Sequence, residues 1–463
     1  MYINRSVEEK LLQDFYEGDQ QVACVYGRQG MGKTTLLRHF IEDKKSIYFQ
    51  AFPTTDQEEL DLLSQALGIE PKGTLEEVLN EITLDEIMKE SPLVFVIDHY
   101  PEFVKADLEY EKILYRYVTE VWKGLPIKVI LCGDCYTHME KFVTGKKAIW
   151  HSVELYKMEV KGMPFSEAQA FFPERSQEEM VFLYGITGGI PKKMAAVYGM
   201  DAEEAIREIY LDGQYATLMW PMQTMQMELR ELSYYNRMLS CLAQGNQRVN
   251  QISREVNKPK DVVVPYMNTL MAMGMVTKET PITERTNRKK TRYSIVNTAD
   301  LFWYRYMPKN MNAVYQEDET AIENLLETML TDSNDYLKTV FINLCKEYLM
   351  NSGNDTLPFQ IEEIGNWWMN DEENQVSVGF DIVGLGKSGD RDVTVYAMCY
   401  YDDKPIEIHE LKALIELTKQ LEQEGDVYYI IFSKAGFHEN AQTVAVTIKN
   451  IMLISLDEIL PKA

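Results

Sequence analysis

Short, strongly apolar runs alternate with amphipathic stretches through the first third of the chain. Val22–Tyr26, Ser46–Phe49, Leu93–Ile97, Val129–Cys132 and Trp150–Leu155 read as strands, and helical patterns separate most of them. Apolar strands that alternate with helices predict a parallel sheet covered on both faces, the α/β arrangement. A helix with a short polar lead-in, from Ile3-Asn4-Arg5 through Leu11, Leu12 and Phe15, precedes the first strand. Further along, Pro164–Glu167 and Pro173–Glu179 carry helix-start chemistry. The run Tyr184–Lys193 closes one helix and starts another.

The pattern then changes. Tyr234–Ala243, Val249–Val256 and Lys260–Met273 have helical periods, and Met275–Glu279 and Arg292–Val296 read as two strands around a polar loop. Three helices and a two-stranded wing predict a winged helix-turn-helix. The aromatic run Ala299–Tyr306 is expected to pack rather than to bind a base. Gln316–Glu327 and Leu337–Met350 follow as helices. The run Phe359–Trp368 and strands at Ser377–Val383, Asp392–Cys399 and Val427–Phe432, with a helix Glu410–Leu421 between the last two strands, predict a small separate α/β domain.

Composition narrows the functional classes. The 463 residues suffice for about three domains, and 45% hydrophobic with 26% charged content is ordinary for a globular protein. A net charge of −25 argues against whole-surface affinity for nucleic acid or anionic membrane. Against it, the segment from Gly245 to Ile295 holds ten basic residues and four acids. Arg285, Arg288, Lys289, Lys290 and Arg292 make its wing a candidate DNA contact through phosphates. The third helix, Asp261–Asn268, offers few side chains for base edges, so protein contact stays open beside DNA contact. The start of the chain lacks a signal pattern and no apolar run is long enough to span a bilayer, so a cytoplasmic protein is expected. Six scattered cysteines are no disulfide framework, and the lone Cys132–Cys135 C-x-x-C is read as core rather than as a metal or redox site.

The chemistry concentrates in Gly27-Arg28-Gln29-Gly30-Met31-Gly32-Lys33-Thr34-Thr35, which follows the first strand and opens a helix. Gly27, Gly32, Lys33 and Thr34 have the spacing G-x-x-x-x-G-K-[ST], whose backbone N–H groups wrap phosphates at a helix N-terminus. Lys33 is expected to reach the β- and γ-phosphates and Thr34 to ligate Mg²⁺. The strand Leu93–Ile97 ends in Asp98, the place of an acid that holds Mg²⁺. Many P-loop ATPases follow that acid with a glutamate that polarises water; here it is His99, which can orient water but is a different base. Beyond Val129–Cys132, Asp134 is a repulsive neighbour for phosphate unless Mg²⁺ or a lysine intervenes.

Asn4-Arg5, Gly27–Thr35, Val96-Ile97-Asp98, Leu131-Cys132-Gly133 and Gly188-Gly189-Ile190-Pro191 together resemble the archaeal-type ATPase family, on the AAA+/STAND side of the P-loop ATPases. That resemblance implies ATP and Mg²⁺ as ligands, and a small helical lid around Lys192 and Lys193. The chain departs from the family at Asp98-His99, Gly133-Asp134 and Val143-Thr144-Gly145-Lys146, where the family usually has Asp-Glu, Gly-Ser and Leu-Tyr-Gly-Arg. Phe302–Tyr306, Ile364–Trp368, Phe380–Val383 and Phe432–Phe437 resemble the uncharacterised C-terminal domain often fused to these ATPases, itself similar to restriction-endonuclease-like nucleases. Of the nuclease carboxylates that this likeness implies, the chain keeps Asp381. The others fall at Ile342, Gly379 and Met398-Cys399-Tyr400, so a pseudo-nuclease without cleavage is expected.

The expected organisation is therefore a P-loop core over 1–155, a helical lid over 156–230, a winged helix over 231–310 and a degenerate nuclease-like domain over 311–463. The expected function is an ATP-binding switch, hydrolysing slowly or when a protein partner or a second copy stimulates it, with Lys33, Asp98 and His99 as catalytic candidates. An ATP-dependent DNA-binding protein and a scaffold with structural nucleotide are the alternatives.

Overall fold

Five strands make the first sheet: β1 (Val22–Tyr26), β2 (Ser46–Gln50), β3 (Leu93–Asp98), β4 (Ile127–Gly133) and β5 (Leu155–Glu159). All are parallel, in the order β2-β3-β4-β1-β5. Every residue of β3 and β4 is buried, which is why both are mainly apolar, with Lys128 and the terminal Asp98 as buried charged exceptions. Phe95, Ile97, Val129 and Leu131 pack with Leu63, Leu79 and Trp122 in one core. Because β4 is inserted between β1 and β3, Tyr26 pairs with Gly133 and Ile97 with Leu131. The C-terminal ends of three strands thus meet at one edge of the sheet.

This computed structural model describes residues 5–86, 91–134, 136–211, 219–226, 228, 229, 231–351, 357–371, 376–419, 421 and 425–460. Asn4 and Cys135 lie outside them. The chain forms two units. One comprises Met1–Met163, Ile190–Lys193 and Met222–Leu232; the other comprises Pro164–Gly189, Met194–Pro221 and Ser233–Ala463. None of the helices among the described residues is long and apolar enough to cross a membrane.

Two expectations need correcting in the first unit. The strand expected at Trp150–Leu155 is a 3₁₀ turn, Ile149–Ser152, and β5 starts only at Leu155. Trp150 is a core plug: it is fully buried, and its Nε1 donates to Tyr100 Oη at 2.9 Å. β5 therefore crosses the boundary expected at 155. The segment expected as one lid, 156–230, is divided between the two units, since Ile190–Lys193 and Met222–Leu232 group with the sheet.

The second unit contains the helices Ser233–Ala243, Val249–Glu255 and Lys260–Ala272, followed by the hairpin β6 (Val276–Glu279) and β7 (Arg292–Ile295). The aromatic run lies in the helix Thr298–Tyr315, where Phe302, Trp303, Tyr304 and Tyr306 are buried. A second five-stranded sheet follows: β8 (Gln360–Asp371), β9 (Val376–Ser388), β10 (Arg391–Tyr400), β11 (Asp426–Ser433) and β12 (Ile451–Ser455). β8, β9 and β10 pair antiparallel, whereas β10, β11 and β12 pair parallel, with the helix Ile408–Thr418 crossing from β10 to β11. The β6–β7 hairpin is built into this sheet's core. Ile282, from the loop between β6 and β7, clusters with Trp367, Phe380 and Tyr396.

Two predictions follow from this packing. Ile282→Ala is expected to lower unfolding stability by about 2–5 kcal/mol, measured by chemical denaturation, because it deletes a buried side chain. Glu59 sits fully buried in the helix Asp56–Leu67, where Oε2 accepts Phe52 N–H at 3.4 Å and Oε1 has no partner among the described residues. Burial pushes its pKa from 4.5 up to about 7. The folded state then holds a proton that the unfolded state has released, so this contribution is full below the unfolded value and is lost as pH rises to about 7. Glu59→Gln is expected to stabilise the protein at about pH 8, by on the order of 3 kcal/mol, and to have little effect below about pH 5.

Candidate functional site

The loop after β1 owes its path to two glycines. A Cβ on Gly27 would lie 2.2 Å from the Val160 carbonyl oxygen, so only glycine lets the loop pass the segment that follows β5. Gly32 has φ +83° and serves as N-cap of the helix Lys33–Phe40 without a side-chain cap. The first N–H groups of that helix therefore face the loop rather than a capping side chain, as an anion-binding helix start requires. Arg5 braces the loop from behind. It is buried and donates to Met31 O at 2.6 Å and Lys161 O at 2.7 Å while pairing with Glu8 at 2.6 Å. Arg28 and Met31 are buried as well, whereas Gln29 and Thr35 are exposed and Gly30 and Thr34 half-buried.

Lys33 is buried at the start of the helix. Its ammonium donates to Gly27 O and Arg28 O, both at 2.9 Å, and pairs with Asp134 Oδ1 at 2.5 Å. Asp134 stands one residue beyond β4, the strand between β1 and β3, and so reaches Lys33 from its own strand end. Its Oδ2 is 3.7 Å from His99 Nε2. A lysine does intervene beside Asp134, and it is the loop's own.

Asp98, at the end of β3, is buried and gathers four donors. Thr34 Oγ1 donates to Oδ2 at 2.7 Å, Tyr48 Oη to Oδ2 at 2.5 Å, and His99 N–H to Oδ1 at 2.9 Å. The buried Cys132 thiol also donates to it. Burial works against its charge, but the hydrogen bonds from Tyr48, Thr34 and Cys132 outweigh it and hold the carboxyl below its ordinary value. The acid is therefore ionised at neutral pH. Burial, then the Asp98 charge, push the Tyr48 phenol well up, so it stays a donor. His99 caps the helix Tyr100–Ala106 at φ +58°, the left-handed region that a residue with a Cβ adopts at a cost.

The sheet brings Lys33, Thr34, Asp98 and His99 to one edge. A hydroxyl and an ionised carboxylate at hydrogen-bond distance are the oxygen donors a hard divalent cation takes. Tyr48 is the participant that spacing does not disclose: it lies mid-strand in β2 and meets Asp98 only through the pairing of β2 with β3. Cys132 is core, as read, and also a donor to the acid.

The wing residues are placed differently from a free phosphate-binding face. Arg285 bonds to Glu363 in β8, and Lys290 bonds to Glu284. Arg292 lies 4.3 Å over the Trp368 ring, and burial lowers its pKa to about 10. Lys289 is exposed, and the Arg288 side chain is outside the described residues. Part of the positive excess of the sequence thus holds the β6–β7 hairpin against β8. In that sheet Asp381 accepts the Cys399 N–H at 2.9 Å and lies 3.5 Å from Lys338 Nζ. A side chain at Gly379 would put its Cβ 2.2 Å from Trp367 O, so this strand register excludes a carboxylate there.

Residues 2–197 match the family model described as an ATPase domain predominantly from Archaea, and residues 303–404 match one described as archaeal and bacterial proteins of unknown function. An uncharacterized protein of Methanocaldococcus jannaschii is 26% identical over 379 residues, covering 81% of this chain and 83% of its own length. Among solved structures, a Walker-type ATPase of Pyrococcus abyssi is similar at 17% identity and TM-score 0.49, covering 66% of this chain and 96% of that one. The ORC2 protein of Aeropyrum pernix, in ADPNP–ADP complexes, is similar at 14% identity and TM-score 0.46, covering 71% of this chain and 96% of that one.

Tyr48→Phe removes one donor from a buried charge. It is expected to cost about 1.5–3 kcal/mol of stability near neutral pH, measured by denaturant titration. Asp98 has a depressed folded pKa, so its stabilisation exists above the unfolded value of 3.8 and is lost as pH falls through the folded one. The difference between Tyr48→Phe and the parent is accordingly expected to shrink in acid.

Proposed function

With an archaeal-type ATPase domain over residues 2–197 as the premise, we propose that the chain binds ATP with Mg²⁺ and works as a nucleotide-dependent switch that hydrolyses slowly. The observation that carries this reading is the convergence of Lys33, Thr34 and Asp98 at the uncapped start of the helix Lys33–Phe40. The residues fit the ligands. The helix start supplies N–H groups for phosphate, Lys33 a cation, and Thr34 with Asp98 a hydroxyl and a carboxylate for Mg²⁺. Bound Mg²⁺ would neutralise charge on the transferring phosphoryl group. Thr34 would turn its hydroxyl oxygen from Asp98 toward the metal, while Tyr48 and the His99 N–H keep the carboxylate aimed.

Slow turnover is supported by what stands beside Asp98. His99 occupies the place of the usual glutamate, with its Nε2 3.7 Å from Asp134 Oδ2, so an imidazole rather than a carboxylate stands where water would be polarised. Lys146, in the place of a family arginine, is exposed and lacks the bidentate fork that stabilises a transferring phosphoryl group. A protein partner or a second copy would then supply what the site lacks.

We read the three helices and the β6–β7 hairpin as a winged helix used as a connector. Ile282 in the C-terminal core and the Arg285–Glu363 and Arg292–Trp368 contacts favour that use over DNA contact through the wing. Asp381 paired with Lys338, and Gly379 barred from bearing a side chain, support a C-terminal domain that serves binding or assembly rather than cleavage.

The test is equilibrium binding of MgATP to the full chain, with steady-state turnover measured beside it. Binding is expected, with turnover well below the typical enzyme value of about 10 s⁻¹. Lys33→Ala is expected to weaken binding by about a hundredfold or more, the scale of losing a charge-assisted contact in a desolvated site. Binding that Lys33→Ala leaves unchanged would defeat the reading.

A further inference from the structure

We infer that Asp134 is a specificity-determining residue that biases the site toward a nucleoside diphosphate and against a triphosphate. The inference rests on the nucleotide-binding reading above and concerns how that same site discriminates between its ligands.

An ammonium has three N–H donors. Those of Lys33 are taken by Gly27 O at 2.9 Å, Arg28 O at 2.9 Å and Asp134 Oδ1 at 2.5 Å. A phosphate that recruits Lys33 must displace one of them. Of the three, the carboxylate alone carries a full charge, so it is the true competitor of the phosphate. Displacement does not send it away. Asp134 follows directly on Gly133, which β4 pairs with Tyr26 of β1, so it stays beside the loop whichever partner Lys33 takes. It is also largely enclosed, with its side chain 14% exposed, so water screens it poorly.

A carboxylate fixed there penalises each negative charge brought to Lys33. A triphosphate carries one phosphoryl group more than a diphosphate, and the lysine of such a loop reaches the β- and γ-phosphates. The added repulsion therefore falls on the γ-phosphate. His99 stands on the other side of Asp134, with Nε2 3.7 Å from Oδ2, and is the neighbour able to take up the carboxylate once Lys33 lets go. Asp134 stands one residue beyond β4, the strand that separates β1 from β3, and His99 one residue beyond β3.

The experiment is calorimetric titration of the full chain with MgADP and with Mg²⁺ and a β,γ-imido analogue of ATP, so that turnover does not enter. Asp134→Asn keeps the shape and removes the charge. It is expected to raise affinity for the triphosphate analogue by about tenfold, the effect of roughly 1.4 kcal/mol, and affinity for MgADP by less than about threefold. Asp134→Ser, a smaller neutral side chain, is expected to shift the ratio of the two affinities in the same direction, which a merely structural disturbance would not do. His99→Phe, which keeps a ring but has no N–H to donate, is expected to weaken triphosphate binding relative to diphosphate, since the displaced carboxylate loses its alternative partner. An unchanged ratio in both Asp134 variants, or a fall in triphosphate affinity, overturns the inference while leaving nucleotide binding intact. Failure of the unmodified chain to bind either nucleotide overturns the nucleotide reading itself, and this inference with it.

Discussion

One buried carboxylate holds the nucleotide edge of the first sheet together. Asp98 takes hydrogen bonds from β2 through Tyr48, from the loop-and-helix junction through Thr34, from β4 through Cys132, and from its own chain through the His99 N–H. A charge so deep is tolerated only because its lone pairs are filled. Filling them fixes the relative positions of three strand ends and a helix start. The site is preorganised by the same bonds that make the charge affordable.

Lys33 is the counterpart on the other side. It too is a buried charge, and its protein partners are two carbonyls of its own loop and Asp134. The two charged groups are thus satisfied separately, Asp98 by neutral donors and Lys33 by an acid from the strand between them. Thr34 and His99 link the two networks: Thr34 follows Lys33 and bonds to Asp98, while His99 donates its N–H to Asp98 and lies beside Asp134.

The degree to which all this was readable in the sequence follows from the range of the interactions. β1, β3 and β4 are legible because continuous burial writes itself as continuous apolar sequence. β5 is not, because Leu155–Glu159 is an edge strand of mixed burial, while the more conspicuous Trp150 is a plug in a 3₁₀ turn. In the C-terminal sheet, β12 escapes for a related reason: Ile451–Ser455 is short, and the stretch before it, Glu439–Thr447, is helical despite its valines and threonines. Lys33, Thr34 and Asp98 are legible through fixed spacing and a strand-end position. Tyr48 and the grip of Asp134 on Lys33 depend on the order β2-β3-β4-β1, which local spacing does not encode. The wing shows the same limit. Its positive excess is plain in the sequence, but the pairing of Arg285 with Glu363 and of Arg292 with Trp368 joins segments far apart along the chain.

Ile282 has a further consequence for how this protein can be taken apart or recombined. The hairpin that looks like the tail of one module contributes a core side chain to the next, alongside Trp367, Phe380 and Tyr396. A joint placed between Ile295 and Gln360 would part the sheet from one of its own interior residues and leave an apolar socket facing water. The smallest heritable block that keeps this core whole runs from upstream of β6 through β12. The β6–β7 hairpin and the C-terminal sheet are therefore one cassette, exchanged together or not at all.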